Sequence, residues 1–98
     1  MSIARGSQLS ARTSLSSNIQ KLESYSDTMV ALAASKEKAG QMNEAASYYL
    51  KAADILLVAC RNPEIGYAKW VRLSEKASTY HQKVKAILVK HQSEIHTT

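Results

Sequence analysis

Apolar residues recur at steps of four, three, four and three through Ala45, Tyr49, Ala52, Leu56 and Ala59, just after the helix-breaking Gly40. That period places small residues along one helical face, which lets a neighbouring helix approach closely. The polar positions of this segment are few: Ser47, Lys51, Asp54 and Arg61 form a strip interrupted by Val58. A helix apolar on most sides must be covered on more than one side, so a helix over about residues 42–61 is expected to be the middle one of three.

Two further stripes flank it. Ile19, Leu22, Tyr25 or Ser26, Met29 and Ala33 predict a first helix. It is expected to open at a capping box, Ser17 with Gln20 three residues on, and to end at Gly40. Trp70, Leu73, Ala77, Tyr80, Val84 and Ile87, at steps of three and four, predict a third helix over about 64–91 with a single seam. Between the second and third, Pro63 disfavours helical geometry at Asn62 and suits the first turn of the third helix. Gly66 weakens that turn by up to about 1 kcal/mol.

The serine-, threonine- and arginine-bearing residues 1–16 carry only isolated apolar side chains and are expected to form a flexible tail or linker. Residues 17–91 form the helical domain, and 92–98 a frayed end. The fold class is all-α: an antiparallel three-helix bundle, a tetratricopeptide-like hairpin plus a long third helix.

Composition narrows the functional classes. Ninety-eight residues make one domain. Six aromatics, no Phe, one Pro and three Gly favour helices over a turn-rich β architecture. The lone Cys60 excludes an intramolecular disulfide and suits a reducing compartment. The longest uninterrupted apolar run, Ile55 to Cys60, is far short of a bilayer span, and a soluble, cytoplasmic protein is expected.

The chemistry of an enzyme is missing from the pattern. There is no Gly-rich phosphate loop, the carboxylates are scattered and Cys60 sits in an apolar run, so neither catalysis nor a cofactor is expected. His91, Glu94 and His96 do not converge on one helical face, and no metal site is expected there. The formal charge of +5 permits contact with anions, yet no reading-helix motif or interleaved aromatics point to nucleic acid.

The hairpin invites comparison with a tetratricopeptide repeat, but Pro63 lies eleven residues beyond Ala52 and nothing repeats at a 34-residue period. Ala39-Gly40, Glu44-Ala45, Tyr48-Tyr49, Ala52-Ala53, Leu56-Leu57 and Ala59, followed by Ala77, Tyr80, Lys83 and Ile87, resemble the MIT domain, the microtubule-interacting and trafficking module, over about residues 18–90. The resemblance implies a non-catalytic adaptor. Such a module docks tail motifs of ESCRT-III-type subunits and recruits the larger protein that carries it to endosomal or other remodelling membranes. In the commoner family mode an amphipathic helix lies between helices two and three; in another an extended segment lies between helices one and three.

Carried onto this chain, the first mode implies a peptide site of Leu50, Asp54, Leu57 and Arg61 on the second helix. The third helix contributes Lys76, Ala77, His81, Lys85 and Leu88. Family members that bind basic motifs present acidic groups on helix three, whereas here Gln82 and Lys85 stand at those positions. Lys69, Arg72, Lys76, Lys83, Lys85 and Lys90 against Glu75 and Glu94 leave that helix basic, which favours an acidic partner and permits weak contact with anionic membrane. The rival readings are a structural bundle whose exposed Leu50, Leu57 and Leu88 join two copies or a neighbouring domain, and a basic module that binds a membrane surface.

Overall fold

The computed structural model describes the backbone of residues 2–97 and the side chains of residues 18–90. It contains three helices, α1 (Ser2–Lys38), α2 (Met42–Cys60) and α3 (Tyr67–Thr97), with no strand among the described residues. The helices form the expected all-α antiparallel bundle: α1 packs on α2 and α2 on α3. The middle position expected of the second helix is therefore the one it occupies.

The small-residue stripe explains why. Ala45, Tyr49, Ala52, Leu56 and Ala59 are all buried, and Ala46 and Ala53 bury a second flank of the same helix. At one end of the bundle Ile19, Ala53, Leu56, Ala59, Leu73 and Ala77 share a core cluster. At the other, Ala33, Ala45, Ala46, Tyr49 and Ile87 share a second, and Tyr80 packs against both. In the first helix's stripe the alternative resolves to Ser26, which is fully buried, while Tyr25 is exposed.

The α1–α2 turn is a Schellman motif. Gln41 N donates to Lys36 O at 2.9 Å and Gly40 N to Glu37 O at 3.1 Å, with Gly40 at φ 81°. These bonds satisfy carbonyls that the end of α1 would otherwise orphan, and the left-handed backbone is why glycine stands there.

Two local expectations differ from the observed structure. The backbone of α1 is helical from Ser2 rather than from the Ser17 capping box; the side chains of Ser17 and everything before it lie outside the described residues. With no proline before it, the chain meets no obstacle to continuing the helix N-terminally. The third helix begins at Tyr67 instead of Glu64, because Asn62 Oδ1 accepts from Glu64 N at 2.9 Å and Asn62 O from Ile65 N at 3.0 Å, tying residues 62–65 into a turn. Its backbone is helical through residue 97.

Candidate functional site

The α2–α3 face is built on small residues. Ala53 and Ala77 are buried between the helices, and Cys60 Sγ lies 3.6 Å from Ser74 Oγ, fixing which flank of α3 borders α2. Leu50 and Leu57, seven residues apart on α2, share one side of that helix and keep 43% and 36% of their surface exposed. His81, Lys85 and Leu88 follow Ala77 at helical spacing and are exposed, Leu88 at 46%. Asp54 on α2 and Arg61 at its C-cap are exposed. Eight of the nine expected peptide-site residues thus lie on this face, with Ala77 as floor rather than contact surface.

Lys76 is the exception. Its ammonium donates to Glu23 Oε2 at 3.2 Å and Asp27 Oδ1 at 3.3 Å, both on α1, so it sits on the opposite flank of α3. It has company there. Glu23 also pairs with Lys69 at 3.4 Å and with Arg72 at 3.0 Å, and Glu37 pairs with Lys83 at 3.6 Å. Four of the six basic residues assigned to the third helix are therefore engaged by carboxylates of α1. The basic surface that pointed to an acidic partner is largely neutralised within the fold, and the α2–α3 face retains only Arg61 and Lys85 against Asp54.

These pairs are electrostatically coupled. Desolvation pushes the Glu23 carboxyl up, but the hydrogen bond and charge of Lys76, with Arg72 and Lys69, outweigh it and hold its pKa below the ordinary value. Desolvation likewise acts to lower Lys76, and its bonds to Glu23 and Asp27 overcome it, leaving the ammonium harder to deprotonate than usual. Among the described residues no Cα of α1 comes within 8 Å of one of α3. The α1–α3 seam is bridged by long side chains, not by backbone packing.

Beside that seam, where α1 ends, a cleft of about 420 Å³ opens over Met42, Ala86 and Ile87, with Glu37, Lys83 and Lys90 at its rim. Tyr49 borders this end: its hydroxyl donates to Glu37 Oε1 at 2.8 Å, its ring stacks on Tyr80 at 6.5 Å, and Lys83 lies 5.3 Å from its centroid. Tyr49 is thus a core ring whose hydroxyl reaches a second helix. Trp70, the first residue of the seam read from the sequence, is 44% exposed and stacks on the exposed Tyr67 at 6.2 Å. It lies a single turn into α3, where the helix has little beside it to cover a large ring.

Sequence reasoning missed the carboxylates of α1. Glu23 and Asp27, four apart and flanking the Ile19–Ser26 stripe, were the available signal, since that spacing places both on one flank. No group of three metal-ligating side chains exists among the described residues; His91, Glu94 and His96 lie outside them. No described helix is long and apolar enough to cross a membrane. Comparison of the chain with protein-family models, curated proteins and solved structures finds no match in any of the three.

Proposed function

We propose that the chain is a non-catalytic module that docks a short amphipathic helix on the α2–α3 face, as the MIT resemblance implies for tail motifs of ESCRT-III-type subunits. The observation that carries this reading is the exposure of Leu50, Leu57 and Leu88 beside the buried floor of Ala53 and Ala77. Small floor residues leave depth between two helices, and half-exposed leucines at the lips offer apolar area that a partner's leucines would remove from water. Leu57 lies near the Cys60–Ser74 contact and Leu88 just past Ile87 at the far end of the bundle. The face spans about 20 Å of α3, or roughly four turns of a docked helix.

In this reading recognition is chiefly apolar, tuned by Arg61 and Lys85 against Asp54, and the attached protein is recruited to endosomal membranes by its partner. Titration of the labelled protein with leucine-bearing helical tail peptides, followed by amide shift mapping, tests it. Saturable binding with shifts at Leu50, Leu57, His81 and Leu88, lost in Leu57→Asp, is the expected result. No binding, with a mass that rises with concentration and falls again in Leu57→Asp, would replace it with the assembly reading.

The cleft over Met42 and Ile87 favours a second mode, an extended segment inserting an apolar side chain between α1 and α3. Shifts at Met42, Thr79 and Ile87 in the same titration would assign the peptide to that side.

A further inference from the structure

The flank of α1 turned away from α3 forms, with α2, a further face of the bundle that the docking surface does not use. Asn18, Tyr25 and Leu32 recur every seven residues on α1, as do Glu44, Lys51 and Val58 on α2, so each trio shares one side of its helix. The ion pair of Lys36 Nζ with Glu44 Oε2 at 3.1 Å marks one end of this α1–α2 face. The cleft in which Val58 lies beside Asn18 and Leu22 marks the other. Between them Tyr25, Leu32 and Val58 keep 60%, 38% and 52% of their surface in water. By helical spacing the half-buried Met29, Tyr48 and Ile55 line the floor.

The charges on this face decide what can cover it. Lys36 is answered by Glu44, Lys51 lies 5.5 Å from the centroid of the Tyr48 ring, and Lys21 stands at the margin one turn before Tyr25. A second copy laid antiparallel on this face would set Lys51 against Lys51, which is unfavourable. A two-fold axis running along the α1–α2 groove gives a different match, because the two helices are antiparallel and level, Lys36 with Glu44 and Ser26 with Ala52. Such an axis lays α1 of each copy over α2 of the other at the same height. Lys36 then faces Glu44 of the second copy. Tyr25 falls between its Lys51 and Val58, and Leu32 between its Glu44 and Lys51, so apolar side chains enter gaps and the Lys51 ammonium gains a second ring. Lys21 carries its stem past Val58 and keeps its ammonium in water.

We propose that the α1–α2 face is a self-association surface, on which a second copy of this chain packs in parallel about a two-fold axis along the groove. The face runs from Asn18 to Lys36, about 27 Å along α1, and is two helices or about 20 Å wide. Two such faces cover about 1,000 Å² in total, the lower end of specific interfaces, so the dimer is reversible and its dissociation constant is micromolar or weaker. The apolar centre supplies the affinity and the crossed Lys36–Glu44 pairs fix the register. Leu50, Leu57 and Leu88 lie off this face, so the dimer leaves the α2–α3 face of each copy open.

Sedimentation equilibrium of the full chain from about 5 µM to about 500 µM tests it. The mass is expected to rise towards twice that of one chain. Val58→Glu and Tyr25→Glu, each at a side chain more than half exposed in the single copy, should weaken association by about tenfold or more, since a carboxylate enters an apolar contact. Leu57→Asp should leave association unchanged, which separates this surface from the docking face. Mixing tests the register. Lys36→Glu and Glu44→Lys each place like charges across the axis and should weaken association by about threefold to tenfold, whereas an equimolar mixture of the two restores both crossed pairs and the dimer. Lys85→Glu with Glu75→Lys carries the same net charges at exposed positions off this face, and neither should weaken association alone nor strengthen it when mixed. A chain that stays monomeric throughout, a dimer lost in Leu57→Asp and kept in Val58→Glu, or a Lys36→Glu and Glu44→Lys mixture that restores nothing would each overturn the proposal.

Discussion

Ser26 donates its hydroxyl hydrogen to the carbonyl oxygen of Ala52 at 2.9 Å, and both residues are fully buried. The bond ties the middle of α1 to the middle of α2 where a small side chain from each helix meets the other. Ser26→Ala keeps the close approach and removes the bond, so it should cost about 0.5–1.5 kcal/mol. Ser26→Leu must push the helices apart and should cost more, about 1–3 kcal/mol or beyond. Urea midpoints of the two variants check the order; a leucine variant as stable as the alanine one would show that the interface is not tightly packed at Ser26.

Gly40 and Gly66 look alike in sequence and should respond oppositely. Nothing lies within 4 Å of a Cβ built at either position, so backbone conformation decides. Gly40 has φ 81°, and Gly40→Ala should destabilise by about 1–2 kcal/mol, the strain of a left-handed residue bearing a Cβ. Gly66 has no such φ, and Gly66→Ala should be neutral or stabilise by up to about 1 kcal/mol through the unfolded state. Thermal melting of the pair separates the two effects.

The order and lengths of the core stripes were legible because burial imposes a 3.6-residue period, which Ala45 through Ala59 display without a break. What the period cannot convey is handedness. Lys76 and His81 both flank the seam of Leu73, Ala77 and Tyr80, and a sequence pattern assigns neither to α1 nor to α2. Only the three-dimensional arrangement turns Lys76 towards Glu23 and leaves His81 by the leucines. The same ambiguity hid the neutralisation of the basic edge, since Glu23 and Arg72 are 49 positions apart. Local competition explains the late start of α3: the Asn62 side chain captures an amide that a helix beginning at Glu64 would have left to solvent.

Tyr49 joins the apolar core to the charged seam, and Tyr49→Phe tests how much of its stabilisation is polar. The ring, its stacking on Tyr80 and its burial persist in the variant, while the bond to Glu37 is lost. Glu37 still reaches Lys83 and is half-buried, so it is not stranded. The expected cost is about 1 kcal/mol, read from the shift in urea midpoint. A cost near that of a large core truncation, about 3 kcal/mol or more, would mean that the hydroxyl holds the end of α1 in place.

The ion-pair row predicts a stability profile that falls at both extremes of pH. Glu23 has a folded pKa depressed below its unfolded value by Lys76, Arg72 and Lys69 acting against desolvation. Its contribution is complete above the unfolded carboxyl pKa and is lost as pH falls through the folded one, because the unfolded chain takes up the proton at a pH where the native carboxylate still resists it. Lys76 is displaced the other way, its bonds to Glu23 and Asp27 overcoming desolvation, and Tyr49 is raised by desolvation and by its bond to Glu37. Both contribute fully below their unfolded pKa values, and that stability is lost as pH rises through the folded ones. The difference in unfolding free energy between the unaltered chain and Glu23→Gln should therefore be greatest near neutrality and shrink towards pH 2. High salt at neutral pH should reduce it as well, since these side chains remain partly in solvent. A difference that stays constant from pH 7 to pH 2 would show that Glu23 stabilises the fold by packing rather than by its charge.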